Sequence, residues 1–248
     1  MKERIKRWLV DDQMWQLDAY TWRRHARVSN YLAAGPIKAL NIGTGGGAET
    51  LALLRRGNHV TTIEISEETA ERTRERIVRT GFGDMHTGLV GHVLELDLDD
   101  TFHQVMMCEV LEHIADDYAA LERIAGWLEP GGRLIMSTPT NIHGQLPGDE
   151  LSAVEDGGHV RVGYEGPELD EMLQAVGLIT IHREYNGYAL TQQYLRAERK
   201  LRANAKTRLF GYGVSVAARP LVRLMEQVKV QPSDQITVAI KSGVPSVK

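Results

Sequence analysis

The chain has 248 residues, 42% of them hydrophobic and 25% charged, with a net charge of −4. That length suits one sizeable domain, and the composition excludes a disordered chain, a collagen and a coiled-coil rod. The one cysteine, Cys108, excludes an intramolecular disulfide and a Cys-cluster zinc site, and no apolar run reaches the roughly 18 residues of a membrane span. The basic start has no apolar signal core behind it, so a cytoplasmic chain is expected.

Residues 1–35 hold no strand-like run. Arg7–Val10 and Tyr20–Leu32 have helical character, with Trp8, Trp15, Tyr20, Trp22 and Tyr31 among the charges. Gly35-Pro36 breaks the chain. Ile37–Ile42 reads as a first strand running into a glycine cluster, Ala48–Arg55 as a helix, and His59–Ile65 as a β-branched second strand. Ser66 caps the next helix, with Glu67 and Glu68 in its first turn and an end near Arg79. Val93–Leu98 and Val105–Cys108 read as the third and fourth strands. A helix over Asp117–Leu128 follows, closed by Pro130-Gly131-Gly132, and Arg133–Ser137 reads as the fifth strand. Pro167–Val176 has the i, i+3, i+4, i+7 apolar spacing of a helix. Ile179–Tyr185 and Gln235–Lys241 are the last two strands. Such alternation implies an α/β protein with a parallel sheet, whose ligands sit at the carboxyl ends of the strands.

The sharpest motif is Asn41-Ile-Gly43-Thr-Gly45-Gly-Gly47-Ala-Glu49, between the first strand and its helix. Glycines there allow a tight turn and close approach of a ligand to the backbone. Glu64 ends the second strand, where a carboxylate can accept from both hydroxyls of a ribose. The pair signals a nucleoside-containing cofactor. Gly43-x-Gly45-x-x-Ala48 also fits a dinucleotide (NAD-type) binding module, so these residues alone leave the cofactor open.

Further residues carry a family resemblance. Ile65-Ser66-Glu67-Glu68 follows Glu64, and Leu96-Asp97-Leu98 comes next along the chain. Then come Cys108-Glu109-Val-Leu-Glu112-His113-Ile114 and Leu128-Glu-Pro130-Gly131-Gly132-Arg-Leu-Ile-Met-Ser137-Thr-Pro139. Over about residues 37–185 plus the final strand, the chain resembles the class I S-adenosylmethionine-dependent methyltransferases, in particular ubiquinone-pathway-type small-molecule O-methyltransferases. The resemblance implies a Rossmann-like seven-stranded, mostly parallel sheet with helices on both faces and the last strand antiparallel. It implies S-adenosyl-L-methionine as cofactor, held by Asn41, Gly43, Gly45, Gly47, Glu64, Ile65, Asp97, Leu98, Cys108 and Glu109. Asn41 departs from the family, which has a carboxylate there; Asn keeps an acceptor and loses the charge.

Methyl transfer needs alignment, exclusion of water and often removal of one proton. Proximity alone supplies roughly 7–11 kcal/mol and a general base about 10²–10⁴-fold. His159 and His143 are the candidate bases, because both follow the fifth strand and an imidazole suits neutral pH. Tyr20, Arg23 and Arg161 are candidate substrate contacts. Glu109, Glu112, His113 and His159 also resemble the metal-binding set of small-RNA 2′-O-methyltransferases, which would suit Mg²⁺ or Mn²⁺. The Glu-Val-Leu-Glu-His string recurs in relatives that use no metal, and most of the chain is acidic. The expectation is therefore a small-molecule acceptor, with no metal and no nucleic-acid partner.

From Arg183 to Val230 there are ten Lys and Arg against three Asp and Glu, whereas the rest of the chain is acidic. The expected organisation is one methyltransferase domain: a helical cap over 1–35, a cofactor-binding core over 36–188, a basic helical insertion over 189–232, and a final strand and tail over 233–248. The insertion is expected to serve as a lid, then as a homo-oligomer contact, then as a peripheral contact with an anionic membrane.

Overall fold

The computed structural model describes residues 19–142, 151–204 and 206–243. The expected helix over 7–10 and the candidate base His143 lie outside the described residues. The chain divides into two compact units, one of residues 31–185 and 234–248, the other of residues 1–30 and 186–233. The helix α1 (Ala19–Val28) belongs to the second.

The larger unit is built on a seven-stranded sheet. In chain order it runs β1 (Lys38–Ile42), α2 (Ala48–Arg55), β2 (His59–Glu64), α3 (Glu67–Arg79), β3 (His86–Val90) and β4 (Phe102–Cys108). It continues through α4 (Asp117–Trp127), β5 (Leu128–Pro139), α5 (Gly166–Ala175) and β6 (Leu178–Asn186), and closes with β7 (Asp234–Lys241). The strand order is β3-β2-β1-β4-β5-β7-β6. Strands β3, β2, β1, β4 and β5 pair in parallel, and β7 pairs antiparallel with β5. Chain progression reverses at β1, with β2 on one side and β4 on the other. That is the switch point where the loops after neighbouring strands part and leave a crevice.

Local sequence explains these elements. In β1 four consecutive residues are buried, as in a central parallel strand covered on both faces. Ser66 caps α3 by accepting from Thr69 N, and Glu67 and Glu68 fill the first turn. Only Thr73 and Ile77 of α3 are buried. In α5, Glu165 and Glu168 form a capping box and Pro167 sits in the first turn. Leu121 and Ile124 of α4 and Leu169 and Leu173 of α5 join Leu40, Val105 and Leu134 of the sheet in one core. Each such side chain contributes roughly 1.5–3 kcal/mol by leaving water.

Two expectations are corrected. The third strand is His86–Val90, not Val93–Leu98. His86 to Val90 pair in register with Val60 to Glu64 at the sheet edge, where exposed side chains leave no apolar alternation to read. The run over 93–98 is apolar for another reason: Val93 is buried, and Leu94, Leu96 and Leu98 pack on the core from a turn and the chain after it. The fifth strand also starts earlier, at Leu128. Its register passes from Phe102↔Leu128 to Gln104↔Arg133, so Pro130-Gly131-Gly132 forms a bulge inside the strand. Gly131 takes φ 77°, and a Cβ on Gly132 would stand 2.8 Å from Glu129 O.

The second unit contains α1, α6 (Ala189–Ala203), α7 (Arg208–Ala217) and α8 (Arg219–Met225). Its centre is charged. Glu226, 5% exposed, meets Arg27 at 3.0 Å and Arg23 at 3.9 Å and accepts from Gly187 N. Arg23 also donates to Asn186 Oδ1. The two ends of the inserted stretch meet, because Ser233 N donates to Asn186 O at 3.1 Å. No described helix is long and apolar enough to cross a membrane.

Candidate active site

The glycine loop follows β1 at the switch point. Gly43 N continues the ladder by donating to Ile63 O, and Gly47 N turns back onto Thr44 O. Gly43, Gly45 and Gly47 all have positive φ, at 74°, 46° and 77°. Their surroundings differ. A Cβ on Gly43 would strike Val110 at 2.4 Å and one on Gly47 would press Thr73 at 3.2 Å, whereas one on Gly45 would meet no atom within 4 Å. The loop therefore packs on its neighbours at both ends and has open space at Gly45. Asn41 is buried and donates from Nδ2 to Thr50 Oγ1 at 2.8 Å, which ties the end of β1 to α2.

Glu64 is 8% exposed at the carboxyl end of β2. Its Oε2 accepts from Thr44 N at 2.8 Å, Thr44 Oγ1 at 2.9 Å and Gly45 N at 3.3 Å, and its Oε1 accepts from Ser66 N at 3.2 Å. The carboxylate thus organises the glycine loop itself. Ile65, next along, is 63% exposed.

After β4 the chain passes half-buried Cys108 and then Glu109, a non-glycine residue at φ 54°. Its conformation is held from β5: Glu109 N donates to Ser137 O, and Ser137 Oγ donates to Glu109 Oε1 at 2.7 Å. Asp97 and Leu98 do not lie at a strand end. The Asp97 side chain is 94% exposed and paired with Arg123 at 2.7 Å, and Leu98 packs on the core. The residues that directly follow β3 are Gly91 and His92. Locating the third strand seven residues too late hid them; His92 pairs with Glu155 at 3.0 Å.

A short 3₁₀ turn, Leu111–His113, gathers the remaining chemistry. Glu112, His113 and His159 each offer a ligand atom, and these atoms lie within 4.8 Å of one another. Glu112 is fully buried, and the two imidazoles stand edge to face at 4.6 Å. His159 comes from a loop 46 positions on, which the chain ties down at several points. His113 Nδ1 donates to Gly158 O at 2.9 Å, Val160 N donates to Glu112 O, and Ser152 N donates to His159 O.

Arg161 completes the fastening. Its guanidinium pairs with Asp117 at 2.7 Å, donates to Ala115 O at 3.1 Å, and lies 5.4 Å from the Tyr164 ring centre. Tyr164 is fully buried and donates to Asp117 at 2.9 Å and Leu111 O at 3.2 Å. Burial and the adjacent Asp117 push its phenol far above the ordinary value, so it stays a donor. Arg161 is thereby committed to holding the loop. Tyr20 and Arg23 belong to the helical unit; Tyr20 lies under Arg23 and Arg24 at 5.6 and 5.7 Å, and Arg23 is buried in the Glu226 pair.

These residues suit a nucleoside cofactor bound along the switch point. The loop opens at Gly45, its backbone N–H groups converge beside Glu64, and a strained Glu109 stands at the end of the next strand.

Comparison with known proteins agrees. Residues 40–136 match the family described as "Methyltransferase domain". The ubiquinone biosynthesis O-methyltransferase of Aeromonas salmonicida is 30% identical over 149 residues, 57% of this chain and 63% of that protein. The chain thus matches less than two thirds of the length of that relative. Phosphoethanolamine N-methyltransferase 2 of Haemonchus contortus, solved with S-adenosyl-L-methionine, superposes with a TM-score of 0.66 at 20% identity, covering 89% of this chain and 53% of that one. The [4+2]-cyclase SpnF superposes at 0.64 with 18% identity, covering 90% and 82%. At such identities the structural likeness shows the fold, and that fold hosts more than one chemistry. The methyltransferase-domain match over residues 40–136 and the shared fold together support a class I S-adenosylmethionine-dependent methyltransferase.

Proposed function

We propose that the chain transfers the methyl group of S-adenosylmethionine to a hydroxyl oxygen of a small molecule. The observation that carries the acceptor half of this reading is the Glu112–His113–His159 cluster at the carboxyl edge of the sheet. The name of the Aeromonas relative supports oxygen as the nucleophile. When bound, the cofactor supplies an activated methyl group on a sulfonium. Asn41, the Gly43–Gly47 loop, Glu64 and Glu109 would hold it.

The protein then has to align the acceptor and take one proton. His159 is the residue for that step, with the fully buried carboxyl of Glu112 close beside it. The ties to Gly158, Val160 and Arg161 fix the imidazole, so alignment costs little when substrate arrives. Asp97 and Leu98, expected to hold the cofactor, lie seven and eight residues past the end of β3, and Gly91 and His92, which directly follow that strand, take the contact in this reading.

A second reading has its own support. Three converging donors, one of them a histidine whose other ring nitrogen donates to a carbonyl, form a set that can also hold a divalent cation. Glu109, the fourth residue of the metal-type set, faces Ser137 instead.

One experiment separates the two. Methyl transfer from labelled cofactor to a panel of phenols and catechols is measured with EDTA and with added Mg²⁺ or Mn²⁺, for wild type and His159→Gln. The expected result is activity that survives EDTA and falls about 10²-fold in the variant, with unchanged affinity for S-adenosylhomocysteine. Activity lost to EDTA and restored by metal favours the cation reading. Near-normal turnover in His159→Gln removes the proton-acceptor role.

A further inference from the structure

Two helices of the helical unit are rich in arginine. α1 contributes Arg23, Arg24 and Arg27, α8 contributes Arg219 and Arg223, and neither helix has an acidic residue. The carboxylate among them, Glu226, is buried and already shared by Arg23 and Arg27.

Arg219 and Arg223 are placed differently. They are four residues apart on α8 and therefore neighbours on one face. Their guanidinium carbons lie 4.9 and 5.4 Å from the centre of the same ring, Trp22 of α1. An indole ring attracts a cation, but here one ring serves two. Among the described residues neither guanidinium has an ion pair or a hydrogen bond. Burial of Arg219, with the charge of Arg223 next to it, lowers its pKa from the ordinary guanidinium value. Two like charges held this close repel, and the described residues supply no counter-ion.

Guanidinium forks match oxyanions in two-pronged fashion, and two forks side by side match a ligand with two negative charges. We infer that Arg219 and Arg223, held together on Trp22, bind a doubly charged oxyanion, with a phosphate monoester as the ligand class. The phosphate can belong to a free metabolite or to a lipid headgroup, since Leu221 and Leu224 of the same helix are exposed. This inference is independent of the methyl-transfer reading, and its test uses no turnover.

Inorganic phosphate and glycerol 3-phosphate are titrated calorimetrically into the full chain at fixed ionic strength. Binding is expected in wild type, with the dissociation constant raised about tenfold or more in Arg219→Gln and Arg223→Gln. Arg74→Gln, which breaks an exposed pair with Glu71 on α3, should bind as wild type does. Without phosphate, Arg219→Gln should melt no lower than wild type, because a repelling charge has gone. Arg223→Lys, which keeps the charge and loses the fork, guards against misfolding of the Gln variants and should also bind weakly. Vesicles of phosphatidic acid in phosphatidylcholine, against phosphatidylcholine alone, test the lipid source. Vesicle binding without binding of soluble phosphate, abolished in both Gln variants, assigns a lipid phosphate. Absence of binding to every phosphate probe overturns the inference, as does binding that both Gln variants retain. A lower melting temperature in both Gln variants together with no phosphate binding makes the pair a structural clasp.

Discussion

Glu64 shows what a sequence reveals about a residue and what it hides. A carboxylate at the end of the second strand was legible because strand, glycine loop and helix are local patterns. Its partner Thr44 was not legible, because nothing in a glycine-rich turn announces that its own N–H groups need an acceptor. Glu64 already meets four donors of the chain, so ribose hydroxyls bound as proposed would share or replace them. Removing the carboxylate is therefore expected to harm fold and cofactor binding together. Glu64→Ala should cost about 1–3 kcal/mol of stability by orphaning buried donors, and should also weaken S-adenosylhomocysteine binding. Thr44→Val removes one competing donor; it should lower the melting temperature yet leave calorimetric affinity intact or improved. If Thr44→Val loses the ligand as fully as Glu64→Ala, Glu64 acts on the cofactor only through the loop. The triad of Glu112, His113 and His159 was individually visible in sequence, but its convergence depends on hydrogen bonds spanning over 40 positions, which no spacing rule encodes.

At the scale of elements, central pieces were readable and edge pieces were not. β1, β2 and α4 are buried enough for periodicity to speak; β3 is an exposed edge, and its place was taken on paper by an apolar loop. The Pro-Gly-Gly signal was real, but it marks a bulge in β5. The edge strand β6 is clipped to α5 by one ion pair, which makes a measurable prediction. Arg183 holds Asp170 through two hydrogen bonds, of 2.7 and 2.8 Å, and Thr180 adds a third. The Arg183 hydrogen bond lowers the Asp170 pKa. A carboxylate with a depressed folded pKa binds its proton more readily in the unfolded chain. Its stabilisation is present above about pH 4, the unfolded value, and is lost as pH falls through the folded one. Urea midpoints of Asp170→Asn should lie below wild type at pH 7 and converge on it below about pH 4. A gap that stays constant with pH would assign the effect to hydrogen bonding without charge.

For the molecule as a whole, the boundaries expected from sequence and the compact units differ by a few residues, and 1–30 groups with 186–233. Composition gave the basic stretch away as distinct, while its grouping with the N-terminal residues arises from pairs such as Arg27–Glu226, 199 positions apart. Every residue proposed to hold the cofactor lies in the sheet unit. Because Ser233 and Asn186 are hydrogen-bonded, a short glycine linker can replace 187–232 without stretching the chain. A variant of residues 31–186, linker and 233–248 should melt cooperatively and bind S-adenosylhomocysteine. A chain that shows no cooperative melting would mean that the sheet unit depends on the helices to fold.

A carbonyl oxygen has no proton to give, so the hydrogen between His113 Nδ1 and Gly158 O belongs to the imidazole. That contact fixes the tautomer: the neutral ring carries its hydrogen on Nδ1 and its lone pair on Nε2. The loop that presents His159 thus also decides which way its neighbour's proton points. A disturbance at Gly158 would release the His113 ring to the other tautomer and reverse the polarity of its Nε2, a change visible as exchanged imidazole ¹⁵N chemical shifts with no residue of the cluster replaced.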